Sequence, residues 1–449
     1  MTPDLITKYD ARVPRYTSYP TAPHFHAGVD GSRYGQWLAH LDSDTDLSLY
    51  IHIPFCDTLC WFCGCLTTVV NRPEPIRHYM DYLLQEIDRV AEQLGDTRRV
   101  THVHMGGGSP TILSPDQFHA LFDRLRKHFT FTDNVEIAVE VDPRGFKESA
   151  ADALAEIGLT RASIGVQDLD PEVQKAVNRI QPFETTRDVV DMLRARGVNG
   201  LNIDLMYGLP HQTAPGTVAT VQRLMTLSPD RVALFGYAHV PWMKKHQRLI
   251  SEDDLPTAQQ RLDQFDRASA TLRDGGYVPI GLDHFAHPKD PMAQAHAAGE
   301  LHRNFQGYTT DNAQALVGLG VSAIGGLPQG HAQNVKAVRD YAEMLDRGEL
   351  PIERGIELTA EDRLRGDVIG RLMCDLTVDA AAVAREHGFD PAIFHDALDQ
   401  LDDMVADGVV QRDGYVVTVP DTYRLLVRTA ASAFDAYLQN SERRHATAV

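Results

Sequence analysis

Four of the chain's five cysteines stand within the stretch YIHIPFCDTLCWFCGC, residues 50–65. They are Cys56, Cys60, Cys63 and Cys65. Thiols this close together could form a disulfide knot, a zinc site, an electron-transfer cluster or a catalytic cluster. Disulfides fit poorly because pairing would close very small rings. A structural zinc site usually takes two separated ligand pairs, and the sequence has no second pair downstream.

The spacing C-x3-C-x2-C favours a [4Fe-4S] cluster, because thiolates are soft ligands suited to iron–sulfur centres. Three thiolates leave one iron without a protein ligand, and an open position is typical of a catalytic metal site. Cys65 keeps an alternative open, since a fourth ligand would close the cluster for electron transfer. Cys65 follows Cys63 by only two residues, so we expect it not to be a ligand. Cys374, in RLMCDL, is expected to be a buried core thiol.

Composition and charge narrow the class of protein. The 449 residues are 43% hydrophobic and 23% charged, as in an ordinary globular protein. There is no run of about 20 apolar residues and no apolar signal core near the start, so we expect a cytoplasmic protein. The net charge of −19 argues against nucleic acid as the main partner, because phosphate binding needs a basic footprint. An anionic substrate would need a local group of cations.

Strands and helices alternate around and after the cysteines. Hydrophobic periodicity predicts strands at 47–53, 100–105, 135–141, 161–167, 200–208 and 231–239. It predicts helices at 75–95, 114–129, 147–157, 171–179, 185–196 and 214–226. The helix at 114–129 opens with Ser114, Pro115 and Gln117, a capping box. Six strand–helix units in series predict a parallel sheet, either doubly wound or a barrel.

Each predicted strand carries its polar or glycine-rich residues at its carboxyl end. These residues are the cysteine loop, GGGSPT (106–111), EVDPR (140–144), GVQD (165–168), DLMYGLP (204–210) and GYAHVP (236–241). A doubly wound sheet concentrates its site at one switch point, whereas a parallel barrel builds its site from several strand ends. Six contributing strands therefore favour an α/β fold with a curved, barrel-like sheet.

The chain is expected to divide into an N-terminal arm (1–45), a catalytic barrel with an extension (46–345) and a mostly helical C-terminal domain (346–449). Residues 245–330 look irregular. Helices closed by Gly388 and Gly408, and a hairpin at 409–419 with a turn at Asp413–Gly414, indicate a winged-helix-like shape. Residues 376–449 hold 12 acidic against 6 basic side chains. We therefore favour a structural or substrate-covering role over DNA binding.

The C-x3-C-x2-C loop after a strand resembles that of the radical S-adenosylmethionine superfamily. The ordered set of segments resembles, within it, the oxygen-independent coproporphyrinogen III oxidase (dehydrogenase) family. The segments are PRYTSYPTAPHF, YIHIPFC, CGC, MGGGSPT, EVDPR, GVQD, VNRIQ, DLMYGLP, YAHVP, FQGYTT and GVSAIG. The resemblance runs from about residue 12 into the C-terminal domain. Related haem chaperones usually end the loop in C-x-F, where this sequence has Cys65.

The resemblance implies a fold, cofactors and site residues. The fold is a partial (β/α)6 radical S-adenosylmethionine barrel, and a [4Fe-4S] cluster is held by the metal ligands Cys56, Cys60 and Cys63. S-adenosylmethionine chelates the open iron, and a second molecule lies beside it. The positions matching the first molecule's surroundings are Tyr50, Gly107, Glu140 and Ile324. Those matching the second molecule's surroundings are Phe62, Gly108, Ser109, Gln167, Arg179, Asp204 and Ala238. No catalytic residue is assigned.

The implied reaction is oxygen-independent oxidative decarboxylation of two propionate side chains of coproporphyrinogen III by way of a 5′-deoxyadenosyl radical. The product is protoporphyrinogen IX, for haem synthesis. A reductant protein such as flavodoxin or ferredoxin is the implied partner, and a monomer is expected. The alternative interpretations are a haem-binding chaperone, a haem-degrading or methyl-transferring relative, and a metal-bearing regulator with a winged helix.

Residue chemistry supports these roles beside plainer alternatives. Glycines 106–108 could present N–H groups to a ligand, or simply turn the chain. Glu140 could pair with an ammonium or ribose hydroxyl, or stand at the start of a helix. Arg179 suits a carboxylate, or is a surface charge. A substrate with four carboxylates needs cations, and Arg15, Lys244, Lys245 and Arg303 are candidates whose alternative is solvated surface charge.

Overall fold

The computed structural model describes residues 3–438, which form two compact units. The loop unit comprises residues 25–204 and 311–357. The terminal unit comprises residues up to 24, residues 205–310 and residues from 358 onward. The predicted division into arm, barrel and C-terminal domain follows different boundaries and stays a prediction. Residues 439–449 of that predicted C-terminal domain lie outside the described residues.

Nineteen strands, many of them short, are described in residues 3–438. They are β1 (Leu47–Ile53), β2 (Phe55–Cys56), β3 (Thr68–Val69), β4 (Arg98–Gly107), β5 (Phe129–Val141), β6 (Arg161–Gln167), β7 (Gly200–Tyr207), β8 (Arg231–Gly236), β9 (Val278–Ile280), β10 (His284–Ala286), β11 (His302–Asn304), β12 (Gly307–Thr309), β13 (Ala315–Leu319), β14 (Ile324–Leu327), β15 (Gly330–Asn334), β16 (Ile352–Glu357), β17 (Thr377–Asp379), β18 (Gln411–Asp413) and β19 (Val416–Thr418).

The same residues contain sixteen α-helices. They are α1 (Pro3–Tyr9), α2 (Gly31–Ala39), α3 (Pro73–Leu94), α4 (Pro115–His128), α5 (Glu148–Glu156), α6 (Pro171–Ala176), α7 (Phe183–Arg194), α8 (Ala214–Met225), α9 (Ala258–Asp274), α10 (Pro291–Ala298), α11 (Val338–Asp346), α12 (Ala360–Asp375), α13 (Ala380–Glu386), α14 (His395–Asp399), α15 (Asp402–Ala406) and α16 (Val427–Ser432). Short 3-10 helices lie at Ala22–His24, Pro110–Ile112, Lys245–Leu249, Glu252–Asp254, Pro391–Phe394 and Asp421–Leu426. Across residues 3–438, every helix is too short or too polar to cross a bilayer.

The loop unit is built on a sheet in the order β16-β15-β14-β13-β1-β4-β5-β6-β7. Strands β13, β1, β4, β5 and β6 run parallel, as the strand–helix alternation predicts. β1 is central, and both of its faces are covered: Leu49 and Ile51 are fully buried, and His52 on the other face is 6% exposed. Central parallel strands are commonly buried on both sides. The predicted capping box of α4 is present, with Ser114 and Gln117 exchanging hydrogen bonds.

The terminal unit contains the end of β7, followed in its sheet by β8, β10 and β9. β10 is antiparallel to both β8 and β9. A separate antiparallel sheet has the order β17-β19-β18 and accompanies helices α12 and α13. The predicted hairpin and the predicted helix closed by Gly388 are confirmed, and the sheet has a third strand. The hairpin turn is Gly414–Tyr415 rather than Asp413–Gly414, because Asp413 pairs with Val416.

Two further predictions are wrong in detail. Residues 245–330 are not irregular, since they contain α9, α10 and short strands. The hydrophobic pattern did not indicate α9, because its few apolar residues, such as Leu262, Phe265 and Leu272, are surrounded by polar residues. The segment expected as one helix ending at Gly408 is broken into a 3-10 turn and two helices of five residues each.

Candidate active site at the cysteine loop

The cysteine loop is anchored at its ends and in its middle. The N–H of Val70 donates to the carbonyl of Cys56 at 3.0 Å, so β2 and β3 close the loop. In the middle, the N–H of Trp61 donates to the carbonyl of Val177 at 2.9 Å. The amide of Asn178 donates to the carbonyl of Leu59 at 2.8 Å. The loop is therefore held by the segment that follows α6 as well as by its own strands.

The four thiols of the loop differ in their surroundings. Cys60 is buried, Cys56 and Cys63 are half-buried, and Cys65 is exposed. Burial raises the pKa of the Cys56 thiol to about 11 against the hydrogen bond from Thr67, and the neighbouring thiols of Cys63 and Cys60 contribute to the rise. The pKa of the Tyr50 phenol is raised by burial first, and the charges of Glu140 and Cys65 add to the rise.

Two arginines donate to the buried sulfur of Cys60. Arg144 Nη2 lies 3.2 Å and Arg179 Nη1 lies 3.4 Å from Cys60 Sγ. Both guanidiniums also bind Asp142, at 2.6 Å from Arg144 and 3.3 Å from Arg179. Burial raises the pKa of Asp142, but Arg144 and Arg179 outweigh it and hold that pKa below its usual value. The sulfur of Cys60 thus receives two positively charged donors.

The glycine turn after β4 lies directly against the loop. A Cβ on Gly108 would stand 2.5 Å from the carbonyl oxygen of Phe55. Gly107 has φ of +111°, and a Cβ there would meet the ring of His52 at 2.5 Å. The N–H of Gly108 donates to the carbonyl of Ile53 at 2.8 Å, and that of Ser109 to Phe55 at 2.7 Å. The glycines therefore permit close packing of β4 on the loop, and these N–H groups are already bound by the protein.

Glu140 lies on β5, so the helix-start alternative is wrong. Its carboxylate accepts from the N–H of Gly107 at 3.2 Å and lies 3.4 Å from His104 Nε2. Burial raises the pKa of Glu140, but the hydrogen bond and charge of His104 outweigh it and leave the pKa lowered. The ring of His104 stacks on Tyr50, with centroids 5.9 Å apart, and the Tyr50 hydroxyl lies 3.0 Å from His52 Nδ1. Glu140 is 42% exposed and can still meet a ligand.

Arg179 is 7% exposed, so the surface-charge alternative is wrong. Its Nη2 donates to the carbonyl of Gly165 at 2.6 Å, and its Nε is buried without a partner in the part of the chain that the structure describes. Gln167 has a left-handed φ of +72° at the end of β6. Asp204, on β7, accepts from Asn202 at 2.8 Å and from Ser163 at 3.0 Å.

The remaining predicted positions are spread over three segments. Phe62 lies between two cysteines of the loop, and Ile324 begins β14, opposite Gln333. Ala238 belongs to the terminal unit, where its carbonyl accepts from Gln247 at 3.2 Å. Within residues 3–438, no three His, Cys, Asp or Glu side chains converge on a point that a single metal ion could occupy.

The donor set fits an iron–sulfur cluster. Three thiols of one loop supply soft ligands, and side chains that donate to the sulfurs tune such a centre. Thr67 donates to Cys56 Sγ at 3.0 Å, beside the two arginines on Cys60. Sequence reasoning missed Thr67, His104 and Arg144 as parts of the site. Arg144 could have been recognised from the sequence, because it lies in the same EVDPR segment as Glu140.

Comparison with known proteins agrees with this geometry. Residues 50–224 match the Radical SAM superfamily. The oxygen-independent coproporphyrinogen III oxidase of Bradyrhizobium diazoefficiens is 47% identical over 450 residues, covering 100% of both chains. That of Paracoccus denitrificans is 45% identical, covering 96% of this chain and 95% of the relative. The structure of the Escherichia coli coproporphyrinogen III oxidase, a Radical SAM enzyme, is 39% identical with a TM-score of 0.90, covering 95% of this chain and 100% of that one.

The fold and the cysteine loop define a radical S-adenosylmethionine enzyme, which uses a [4Fe-4S] cluster and S-adenosylmethionine. The predicted partial barrel with a helical C-terminal part is confirmed by the structural match. Full-length identity carries the assignment further: the chain belongs to the family of oxygen-independent coproporphyrinogen III oxidases.

Proposed function

We propose that the protein converts two propionate side chains of coproporphyrinogen III to vinyl groups, giving protoporphyrinogen IX for haem synthesis without O2. The relatives with this activity in their names cover the whole chain. The observation within the structure that carries the proposal is the buried Cys60 sulfur, which receives N–H groups from two guanidiniums in a three-thiol loop.

Cys56, Cys60 and Cys63 would hold the cluster, and Cys65 would stay outside the ligand set. When bound, the cluster and S-adenosylmethionine supply a 5′-deoxyadenosyl radical by one-electron cleavage of the sulfonium. Arg144 and Arg179 donate to the sulfur of Cys60, and Thr67 donates to that of Cys56, so these side chains would support the two sulfurs as ligands. The pKa of Cys56, about 11, means that ligation must release a proton from this thiol.

The residues around the first S-adenosylmethionine would be Tyr50, Gly107, Glu140 and Ile324. Glu140 supports this role because its pKa is lowered, which keeps it anionic, and it is exposed enough to accept from an ammonium or hydroxyl. Gly107 contributes by shape, because its N–H is already bound to Glu140.

The proposal includes a second S-adenosylmethionine. Its surroundings would be Phe62, Gly108, Ser109, Gln167, Arg179, Asp204 and Ala238. The buried Arg179 Nε supports this, because it has no partner among the described residues and suits a carboxylate. Asp204 accepts hydrogen bonds from Asn202 and Ser163, and it would also accept one from a ligand hydroxyl.

For each propionate, a hydrogen atom leaves the β-carbon, CO2 leaves the carboxylate end, and one electron passes to an acceptor. The cluster needs one electron from a reductant protein, such as flavodoxin or ferredoxin. We further propose a monomer and a cytoplasmic location, where thiols stay reduced. None of the five cysteines, all within the described residues, forms a disulfide, which is typical of that compartment.

The test is anaerobic reconstitution with iron, sulfide, reductant, S-adenosylmethionine and coproporphyrinogen III. We expect 5′-deoxyadenosine and a vinyl-bearing product. Loss of CO2 measured by mass spectrometry identifies decarboxylation. A holo-protein that binds haem and forms neither product would instead be the haem-binding relative.

A further inference from the structure

Two arginines of the terminal unit donate hydrogen bonds to the backbone of one short segment, residues 13–16, which we call the strap. Arg303 donates from Nε to the carbonyl of Tyr16 and from Nη2 to that of Arg15, both at 3.2 Å. Arg428 donates from Nε to the carbonyl of Pro14 at 3.0 Å and from Nη2 to that of Val13. Four successive carbonyls therefore accept from guanidiniums, and all of these acceptors are uncharged.

Three arginines surround the strap against two carboxylates, Asp283 and Asp435, and the second accepts from the Tyr16 hydroxyl at 3.0 Å. Arg428 is 5% exposed, and its pKa is lowered to about 10 by burial and by the nearby charges of Arg15 and Arg303, against the opposite effect of Asp283. Asp283 is itself hydrogen-bonded to His284 at 2.7 Å. Within residues 3–438, neither Arg15 nor Arg303 forms an ion pair.

The position of these arginines fits a substrate site. The guanidinium of Arg303 lies over the ring of Tyr308, 4.4 Å from its centroid, which fixes its direction. The guanidinium of Arg261 lies 5.8 Å from the centroid of the Tyr207 ring. Burial and the charge of Asp283 raise the pKa of Tyr207, while the charges of Arg261, Arg15 and Arg428 act against this rise. Tyr207 ends β7, and parallel barrels bind their substrates at the carboxyl ends of strands.

We propose that Arg15, Arg303 and Arg428, the arginine cluster, form a carboxylate-binding subsite for a propionate that the reaction keeps. The inference rests on the proposed function, because it takes coproporphyrinogen III as the ligand. Guanidiniums bind carboxylates strongly and in a fixed direction. An ion pair stabilises the carboxylate in the ground state and would oppose loss of CO2. The subsite therefore suits the two propionates that remain, and holding them positions the two that react.

The test compares ligands on the full-length holo-protein under anaerobic conditions. Coproporphyrinogen III has four propionates, and mesoporphyrinogen IX keeps two and carries ethyl groups in place of the reacting pair. The dimethyl ester of mesoporphyrinogen IX lacks both charges. Binding is measured by titration calorimetry, and KM is measured for coproporphyrinogen III.

Arg15 is exposed and its side chain makes no hydrogen bond in the described residues, so Arg15→Gln should fold normally. We expect Arg15→Gln to weaken binding of both acids about tenfold, to raise the KM by a similar factor, and to leave binding of the ester unchanged. Arg12→Gln is the matched control, because Arg12 is also exposed, lies just before the strap and carries the same charge. It should bind all three ligands as the wild type does.

Arg303→Lys keeps the charge but loses the planar donors, so it should also weaken binding of both acids. Equal binding of the acids by wild type, Arg15→Gln and Arg303→Lys would overturn the proposal. Weaker binding of coproporphyrinogen III alone would also overturn it, because the subsite would then hold a reacting propionate. Failure of the wild type to form any vinyl product would instead count against the proposed function, so the two failures are distinguishable.

Discussion

Two groups of arginines in this molecule differ in what faces them. In the loop unit, Arg144 and Arg179 face the carboxylate of Asp142 and the sulfur of a cysteine. In the terminal unit, Arg303 and Arg428 donate to backbone carbonyls of the strap. The first group has its charge balanced by side chains of the same unit. The second group, together with Arg15, places three positive charges beside two carboxylates, Asp283 and Asp435.

The difference indicates two uses of the same side chain. A guanidinium that is balanced in place fixes the geometry of its partners, and here it donates to the sulfur of a proposed cluster ligand. A guanidinium on neutral acceptors keeps its charge available to an anionic ligand. The net charge of −19 makes such a local excess of cations more informative than it would be in a basic protein.

The largest expected effect comes from removing the sulfur that faces the first group. Cys60→Ser should lose the cluster, because two thiolates remain and the arginines lose their soft acceptor. Cys65→Ser should keep a full four-iron cluster. Iron and sulfide content with the electron paramagnetic resonance spectrum of the reduced protein measures both. If Cys65→Ser lost its iron, the division of the thiols into three ligands and one non-ligand would be wrong.

The next effect compares the two groups directly. Arg179→Met leaves Asp142 paired with Arg144 alone and removes the donor to the carbonyl of Gly165, so it should cost about 2 to 3 kcal/mol in the free energy of unfolding. Arg303→Met removes hydrogen bonds to neutral carbonyls and relieves repulsion within the arginine cluster, so it should cost about 1 kcal/mol. The midpoints of urea unfolding, compared at a common m-value, give the change in the free energy of unfolding for both variants. Equal costs would show that the two groups are balanced alike.

Glu86 provides the opposite case, a buried carboxylate with uncharged partners. It is 1% exposed and accepts, at 2.6 Å each, from the N–H of Gly320, the hydroxyl of Tyr341 and the amide of Asn334. Burial raises the pKa of Glu86 from 4.5 to about 7, although these three hydrogen bonds act against the rise. Without a cation, the hydrogen bonds only partly offset desolvation.

The pH dependence of stability tests this. Between the unfolded value near 4.5 and the folded value of about 7, the native state binds the extra proton, so its stability falls as pH rises through that window. The fall should amount to about 3 kcal/mol and level off above the folded pKa. Glu86→Gln cannot titrate and should remove that part of the slope. Unfolding midpoints from pH 5 to 8 give the comparison, and an unchanged slope in the variant would contradict the raised pKa.

The smallest effect is expected at a surface pair that serves as the baseline. Arg99 makes two hydrogen bonds of 2.7 Å to Asp46, yet its side chain is 64% exposed. Arg99→Gln should lower the free energy of unfolding by less than about 1 kcal/mol, and added salt should remove the difference. A larger, salt-independent cost would mean that charge balance matters even where water screens it.

The local patterns of the sequence predicted most of the scaffold. β1 and β6 have the predicted bounds, and the capping box of α4 forms as predicted, because these depend on neighbouring residues alone. The short strands after residue 277 were missed because three residues show no period.

The sequence predicted which residues belong to the site, but it did not predict which contacts they make. The glycine N–H groups were expected to meet a ligand, yet that of Gly108 donates to Ile53 and that of Gly107 to Glu140, which depends on how β4 packs. The contacts of Arg428 with the strap join residues more than 400 positions apart, and nothing near Arg428 in the sequence indicates them. Contacts of that range depend on the completed fold.

The pairing of β1 with β13 has a consequence for biosynthesis. Leu47–Ile51 pair with Ala315–Leu319, so one edge of β1 lacks its partner until most of the chain has left the ribosome. The carbonyl of His52, just before the cysteine loop, accepts from Tyr79, whose hydroxyl in turn accepts from the N–H of Val321. An open strand edge invites aggregation, and distant strands pair slowly. We therefore expect cluster assembly to follow this pairing, so that nascent chains stalled before residue 311 should take up no stable iron.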